Sequence, residues 1–258
     1  QIQRSNQQFV YVDHVRLYYD ALHKRNITVD VICSDADISK YKLVITPTMF
    51  VLKEETAAKL REYVKSGGAL ITTFRIGVKD QYSRIVDEPL PGKLREIFGV
   101  KVEEYHSPWI EEVNRIKLKT GDPTESAVKF WIDVLKPETA EVIAEYSYGF
   151  APGKPAITRN SFGAGTAIYV GTAPDKDFMA GFIKDICDKI GVKPGPDSAA
   201  QVEIASRRKG DDEYLFVLNH NDYQVEVESV RSGQELLTGK ALSAPVKLEP
   251  FGVAIVKR

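Results

Sequence analysis

Arg75, Lys79 and Asp80 lie within six residues of one another, directly after the β-rich run Ala69–Thr73. A strand, a sharp turn and charged side chains are how a parallel α/β sheet sets reactive groups at the carboxyl end of a strand. A nucleophile in such a turn would be a Cys or a Ser; Phe74, Arg75 and Ile76 stand there instead. The framework of a catalytic domain is present without its nucleophile. Arg75, Lys79 and Asp80 are therefore expected to hold a ligand or to face another protein surface, and no catalytic residue is assigned.

Amidotransferase chemistry needs a Cys at that elbow with a His and a Glu downstream. Cys33 ends a different expected strand, and no His lies near the turn. A triad of His106 or His220 with a Ser is the remaining hydrolase arrangement. His14 and His23 are nine residues apart on an expected helix, not at the four-residue spacing of a shared metal, and read as surface or interface residues. Neighbouring carboxylates occur at Glu54/Glu55, Glu103/Glu104, Glu111/Glu112 and Asp211/Asp212. Adjacent side chains on a strand point to opposite faces and on a helix they diverge, so these pairs read as solvated surface.

Phe162-Gly163-Ala164-Gly165 lacks the Lys and the following helix of a phosphate loop and reads as a turn. Trp109 and Trp131, with Tyr105 and Phe130, have the composition of a sugar-stacking platform. Aromatics at this density more commonly build a core or a subunit interface. Cys33 and Cys187 stand far apart with no CxxC or Cys/His spacing, which argues against a zinc site or a disulfide framework. Both are expected to be buried as small hydrophobes. No metal and no cofactor is implied.

The elements that must position these groups occupy 258 residues carrying a net charge of −1, with charges spread along the chain. That balance implies no nucleic-acid or membrane-surface partner. No apolar run approaches the ~20 residues of a membrane span. Gln1–Gln8 is polar and does not begin with Met, as expected of a mature product or an excised piece of something larger, and a cytoplasmic location is the expectation.

Asp13 is placed to cap a helix with apolar positions Val15, Tyr18, Tyr19 and Leu22, followed by a strand at Val29–Ile32 and another at Leu43–Thr46. A helix over Glu54–Lys65 buries Ala57, Leu60 and Val64 and stops at Gly67-Gly68. Leu94, Ile97 and Phe98 suggest a short helix closed by Gly99. Strands are expected at Val100–Tyr105, Val113–Leu118, Val128–Leu135 and Glu141–Tyr146, with a loop at Gly121-Asp122-Pro123. Ile157–Arg159 and Thr166–Val170 then flank a hairpin turn, and a helix carrying Phe178, Phe182, Ile186 and Ile190 ends at Gly191. Lys193–Ser198 is a linker by composition. Beyond it, Val202–Ala205, Tyr214–Leu218, Val225–Glu228, Val246–Leu248 and Val253–Val256 read as strands of a small antiparallel β domain.

Tyr18-Tyr19-Asp20-Ala21-Leu22 before Ile27–Val31 resembles the opening of the middle domain of glycoside hydrolase family 42 β-galactosidases, as does Leu43–Pro47. The more specific resemblance runs through Thr73–Asp80, Pro91-Gly92, Leu94–Glu96 and Gly99–Tyr105, then Asn160–Thr172. Tyr214–His220 and Leu248–Val253 are similar to that family's C-terminal domain. Departures are Ile76, where a small polar residue is expected, and a less acidic Gln81–Arg84.

The resemblance implies a three-domain parent whose N-terminal (β/α)8 barrel does the chemistry, with both catalytic glutamates in the barrel. A retaining glycosidase holds its two carboxyl groups ~5–5.5 Å apart. Only the second and third domains are matched by these residues: a class I glutamine amidotransferase-like (flavodoxin-like) parallel-sheet domain over 1–196 and an antiparallel β-sandwich domain over 197–258. The implied role is the trimerisation and C-terminal region of a β-galactosidase acting on terminal non-reducing β-D-galactosides, catalytically silent without the barrel. Its partners would be two further copies, forming a homotrimer through residues 1–196, and the barrel itself; substrate would belong to the parent. Arg75, Lys79, Asp80 and Trp109 are the ligand or interface candidates. The alternatives are a stand-alone carbohydrate-binding or sensor module, and an amidotransferase-like hydrolase with unrecognised catalytic residues.

Overall fold

The computed structural model describes residues 8–119 and 125–258, and the expected Gly121-Asp122-Pro123 loop lies outside them. The chain separates into two compact units, one taking residues up to Tyr18 and Ile32–Phe182, the other Tyr19–Val31 and Ile183–Arg258. The helices are α1 (Tyr11–His23), α2 (Glu54–Lys65), α3 (Arg95–Phe98) and α4 (Lys176–Lys189).

The first unit contains β1 (Leu43–Thr46), β2 (Ala69–Thr73), β3 (Val100–His106), β4 (Asn114–Leu118), β5 (Glu125–Pro137), β6 (Glu141–Tyr148), β7 (Pro155–Phe162), β8 (Gly165–Val170) and β9 (Thr172–Pro174). They form one sheet in the order β1-β2-β8-β7-β6-β4-β5-β3, with β9 paired to β5. β1, β2 and β8 are parallel, and the remaining ladders are antiparallel. This is the expected α/β domain as a mixed sheet: the flavodoxin-like part is three parallel strands, extended beyond β8 by an antiparallel set whose strands β3 to β7 fall between β2 and β8 in sequence.

α2 docks through Ala57, Leu60, Tyr63 and Val64 onto Leu70, Ala167 and Tyr169, joined by Ile97 and Phe98 of α3. Burying Leu60 and Val64 contributes ~1.5–3 kcal/mol each. α2 ends through Gly67 at φ 110°, and the next position must also be glycine, since a Cβ on Gly68 would lie 2.3 Å from Tyr63 Cζ. The tip of the β7–β8 hairpin sits on the same helix end, with the Ala164 N–H donating to the Lys65 carbonyl at 3.0 Å. A Cβ on Gly165 would meet the Val64 carbonyl at 2.1 Å, so that tip admits only glycine.

The second unit holds β10 (Val202–Lys209), β11 (Asp212–Asn219), β12 (Val225–Val227), β13 (Gly233–Glu235), β14 (Ala241–Leu242), β15 (Val246–Leu248) and β16 (Val253–Lys257). A five-stranded sheet, β10-β11-β16-β13-β14, and the β12-β15 pair enclose an aliphatic core that includes Val202, Ile204, Leu215, Val217, Val246 and Val256. Buried Glu235 accepts hydrogen bonds from the backbone N–H groups of Leu237, Thr238 and Ile255, which hold its carboxyl below the usual range against the opposing effect of burial.

Three expectations fail here. Val29–Ile32 is not a strand. Asn26 ties this part of the chain to the second unit: its Nδ2 donates to the Pro196 carbonyl at 2.8 Å and its Oδ1 accepts from the Ile204 N–H at 3.0 Å. The segment that follows finds no partner strand, and Val31 is 78% exposed. Cys33, expected to be buried, is consequently an exposed turn residue, while Cys187 is buried. The first helix also begins at Tyr11, which puts Asp13 in its first turn rather than at the cap.

Candidate functional site

The carboxyl ends of β1, β2 and β8 converge where a parallel sheet places a ligand crevice. A buried hydroxyl ladder locks the ends of β1 and β2 together. Thr46 Oγ1 lies 3.0 Å from Thr72 Oγ1, and Thr73 Oγ1 accepts from the Thr48 N–H at 2.7 Å. His14 joins this ladder, its Nε2 3.2 Å from Thr73 Oγ1. The imidazole is buried against Phe9, Tyr18 and Phe74, which corrects the surface placement expected for it. Burial pushes its pKa down to about 4, so the ring is neutral at physiological pH. A His beside a hydroxyl has the composition of a base and a nucleophile, but Thr73 is fully buried and closed to substrate.

The turn after β2 puts Arg75 at φ 64°, the strained left-handed conformation that a nucleophile elbow uses for its reactive residue. Its guanidinium carbon lies 4.6 Å from the Trp131 ring centroid, 4.9 Å from Phe50 and 6.0 Å from Tyr105, each a cation–π distance. Lys79 Nζ sits 5.8 Å from the same Phe50 ring. Desolvation lowers the Arg75 pKa and the Asp133 charge opposes that shift. Arg75 Nε is buried with no hydrogen-bond partner among the described residues.

Behind the rings lies Asp133, 1% exposed. Trp131 Nε1 donates to one oxygen at 2.6 Å and the Tyr169 hydroxyl to the other at 2.8 Å. Burial raises this carboxyl to about 7, against the two hydrogen bonds and the Arg75 charge that favour ionisation. The Tyr169 phenol is pushed well above its ordinary value, first by burial and then by the adjacent carboxyl.

The structure brings together Arg75 and Lys79 and separates the other two candidates. Asp80 builds a turn, accepting from the Tyr82 and Arg84 backbone N–H groups at 2.9 Å each and pairing with the Arg84 guanidinium. Trp109 is 82% exposed beside Ile110 on the loop between β3 and β4. The four aromatics of the supposed platform therefore divide. Trp131 is buried, stacked on Tyr105 at 4.9 Å and on Phe74 at 6.2 Å, so it offers no open face to a sugar. Phe130 packs edge-on to Phe9.

Each carboxylate pair is split among surface partners: Glu54 pairs with Lys93, Glu103 with Lys101 and Lys136, and Asp212 with Lys257. Glu112 bonds His106 at 2.8 Å and accepts from Asn114 Nδ2 at 2.9 Å; the His106 ring stacks on Phe150. His23 and His220 both bond Glu203. Among the described residues no group of three or more His, Cys, Asp or Glu side chains is arranged to hold a metal, and no helix is long and apolar enough to cross a membrane. Sequence reading misplaced His14 and missed Phe50, Asp133 and Tyr169. Only Asp133 carried a signal, as a lone acid in the apolar run Trp131–Leu135.

Comparison with known proteins agrees with this architecture. The family model of the β-galactosidase trimerisation domain matches residues 1–193, and that of the β-galactosidase C-terminal domain matches residues 201–258. A β-galactosidase of Planococcus sp. (strain 'SOS Orange') is 38% identical over 252 residues, covering 96% of this chain and 37% of that protein. One from Geobacillus kaustophilus is 35% identical over 251 residues, with the same shares of each chain. The crystal structure of a β-galactosidase from Bacillus circulans sp. alkalophilus superposes with a TM-score of 0.92 at 37% identity, covering 98% of this chain and 38% of that one. That from Rahnella sp. R3 gives a TM-score of 0.86 at 27% identity, covering 97% of this chain and 37% of that one. The chain thus spans little more than a third of the length of the relatives it matches. It belongs to the glycoside hydrolase family 42 β-galactosidases and carries that family's trimerisation and C-terminal domains.

Proposed function

We propose that these residues are the assembly region of a β-galactosidase that hydrolyses terminal non-reducing β-D-galactosides with retention, with the catalytic barrel outside them. The domain boundary falls at residues 196/197, and the first domain carries the homotrimer contacts. The supporting observation is the double family match, joined to an elbow that presents Arg75 where a hydrolase of this fold would present a nucleophile. On this reading the chain alone does not turn over substrate.

A ring of three closes through a heterologous interface, which needs two different surface patches on each copy. Trp109 and Ile110, 82% and 76% exposed, with Val113 at 53%, form one candidate patch. Light scattering after size exclusion tests the assembly: a species of three times the 28.8 kDa chain is expected. Trp109→Ser with Ile110→Ser should return it to monomer with the melting temperature unchanged. A wild-type monomer would remove the assembly role from these residues. A nitrophenyl-galactoside assay of the same sample should read zero, and turnover would overturn the catalytically silent reading.

A further inference from the structure

Arg75 carries three separate costs. A non-glycine residue in the left-handed region is strained, and Arg75 sits there at φ 64°. A buried donor without an acceptor loses its hydration with nothing in return, and that is the state of its Nε among the described residues. Its guanidinium is also partly withdrawn from water. Strain of this kind persists where the surroundings impose it, and it gathers at ligand-binding positions. Here the surroundings are well defined: Phe50, Tyr105 and Trp131 surround the guanidinium carbon, and Trp131 is fixed in turn by its bond to Asp133.

The geometry selects the ligand. Aromatic rings attract the guanidinium charge and accept none of its N–H groups in the plane, and a carboxylate matches those N–H groups with two parallel N–H···O bonds. Asp133 does not fill this role: its side-chain bonds are to Trp131 and Tyr169, and its charge acts on Arg75 only at longer range. Phosphate fits less well, because no helix opens directly after β2 to add backbone amides; the next helical turn begins at Gly92. Lys79, with Nζ 5.8 Å from the Phe50 ring centroid, supplies a second positive charge.

We propose that Arg75 is the centre of a carboxylate-binding site at the carboxyl end of β2, receiving an acidic group edge-on with Lys79 as the second cation. The acid is either a small free carboxylate or an acidic side chain of a second copy, and both present the same chemistry.

The test is nitrogen-15 NMR of the arginine Nε–H resonances, with Arg75 assigned by its loss in Arg75→Lys. Malonate is titrated at constant ionic strength, with inorganic phosphate in parallel, and the free chain is separately diluted. The expected result is a saturable shift of Arg75 Nε–H with a Kd on the order of 1–10 mM for malonate. Phosphate should bind at least tenfold more weakly. Binding followed at the Trp131 Nε1–H should weaken at least tenfold in Arg75→Lys and severalfold in Lys79→Ala, with melting temperatures retained. A resonance that already moves on dilution assigns the acid to a second copy; one that responds only to malonate assigns it to a free carboxylate. No saturable shift in either series, equal binding of phosphate, or unchanged malonate binding in Arg75→Lys each overturns the proposal.

Discussion

The Tyr169 hydroxyl donates to Asp133 at 2.8 Å in a site where both side chains are essentially sealed from water. The carboxyl is raised to about 7, so the folded chain holds a proton there between roughly pH 4 and 7 that the unfolded chain has released. Stability from this group is full at low pH and falls as pH rises through 7, by about 4 kcal/mol. His14 acts in the opposite sense. Its folded pKa of about 4 lies below the unfolded value, so its contribution is intact above 6.5 and is lost as pH falls toward 4, by about 3 kcal/mol. The two slopes nearly cancel. Relative to the wild type, Asp133→Asn should gain stability with rising pH between 4 and 7, and His14→Phe should lose it. Urea midpoints of all three proteins at one-unit pH intervals provide the check, since the surface carboxylates contribute equally to each.

At Gly68 a single methyl group is decisive. Ala there would place a carbon 2.3 to 2.5 Å from three ring atoms of Tyr63, whose hydroxyl is anchored to the Tyr41 and Ala69 carbonyls. Gly68→Ala should destabilise by about 2 kcal/mol or more. Because the clash is with the ring, Tyr63→Phe should not relieve it. Gly68→Ala combined with Tyr63→Leu should cost less than the sum of the two single changes, measured by chemical denaturation.

Asn26 makes side-chain bonds to Pro196, Ser198 and Ile204 from a left-handed backbone at φ 52°. Asn26→Ala loses the bonds and strains the backbone, for about 2–4 kcal/mol together. Asn26→Gly loses only the bonds and should be about 1 kcal/mol milder. Equal losses in thermal unfolding would show that the backbone conformation contributes nothing.

Thiol chemistry separates the two cysteines. Cys33 is exposed and should react with a disulfide reagent at one equivalent per chain under native conditions. Cys187, buried and with its thiol pKa raised by that burial, should react only after unfolding. Two fast equivalents would contradict the burial of α4.

Local features of the fold were legible in the residues, and the elements that depend on distant partners were less so. The bounds of α2, the hairpin at Gly163 and the glycine stops follow from helical spacing and from turn chemistry, which act within a few residues. Val29–Ile32 has strand composition and is no strand, because Asn26 holds the preceding residues elsewhere. β13 and β14 were missed because they are very short and Gly233-Gln234-Glu235 shows no apolar alternation. The Arg75 turn could be found as a turn. Its meaning depends on Phe50, Tyr105, Trp131 and Asp133, which only the sheet topology assembles.

The ladder between β5 and β9 advances from Lys129 to Ile132 on one strand while moving only from Ala173 to Thr172 on the other. Phe130, at φ 68°, and Trp131 are the two surplus residues. Before them, from Glu125 to Lys129, alternate side chains are exposed; after them, Ile132 through Leu135 are all buried, as is Trp131 itself. The surplus is even, which keeps the two halves of the strand in phase. Deleting one of the pair would rotate everything downstream by half a period and carry Asp133 to the opposite side of the sheet, whereas deleting both would preserve its facing. The environment of Arg75 is thus written partly as a parity, a property of residue count that no composition records.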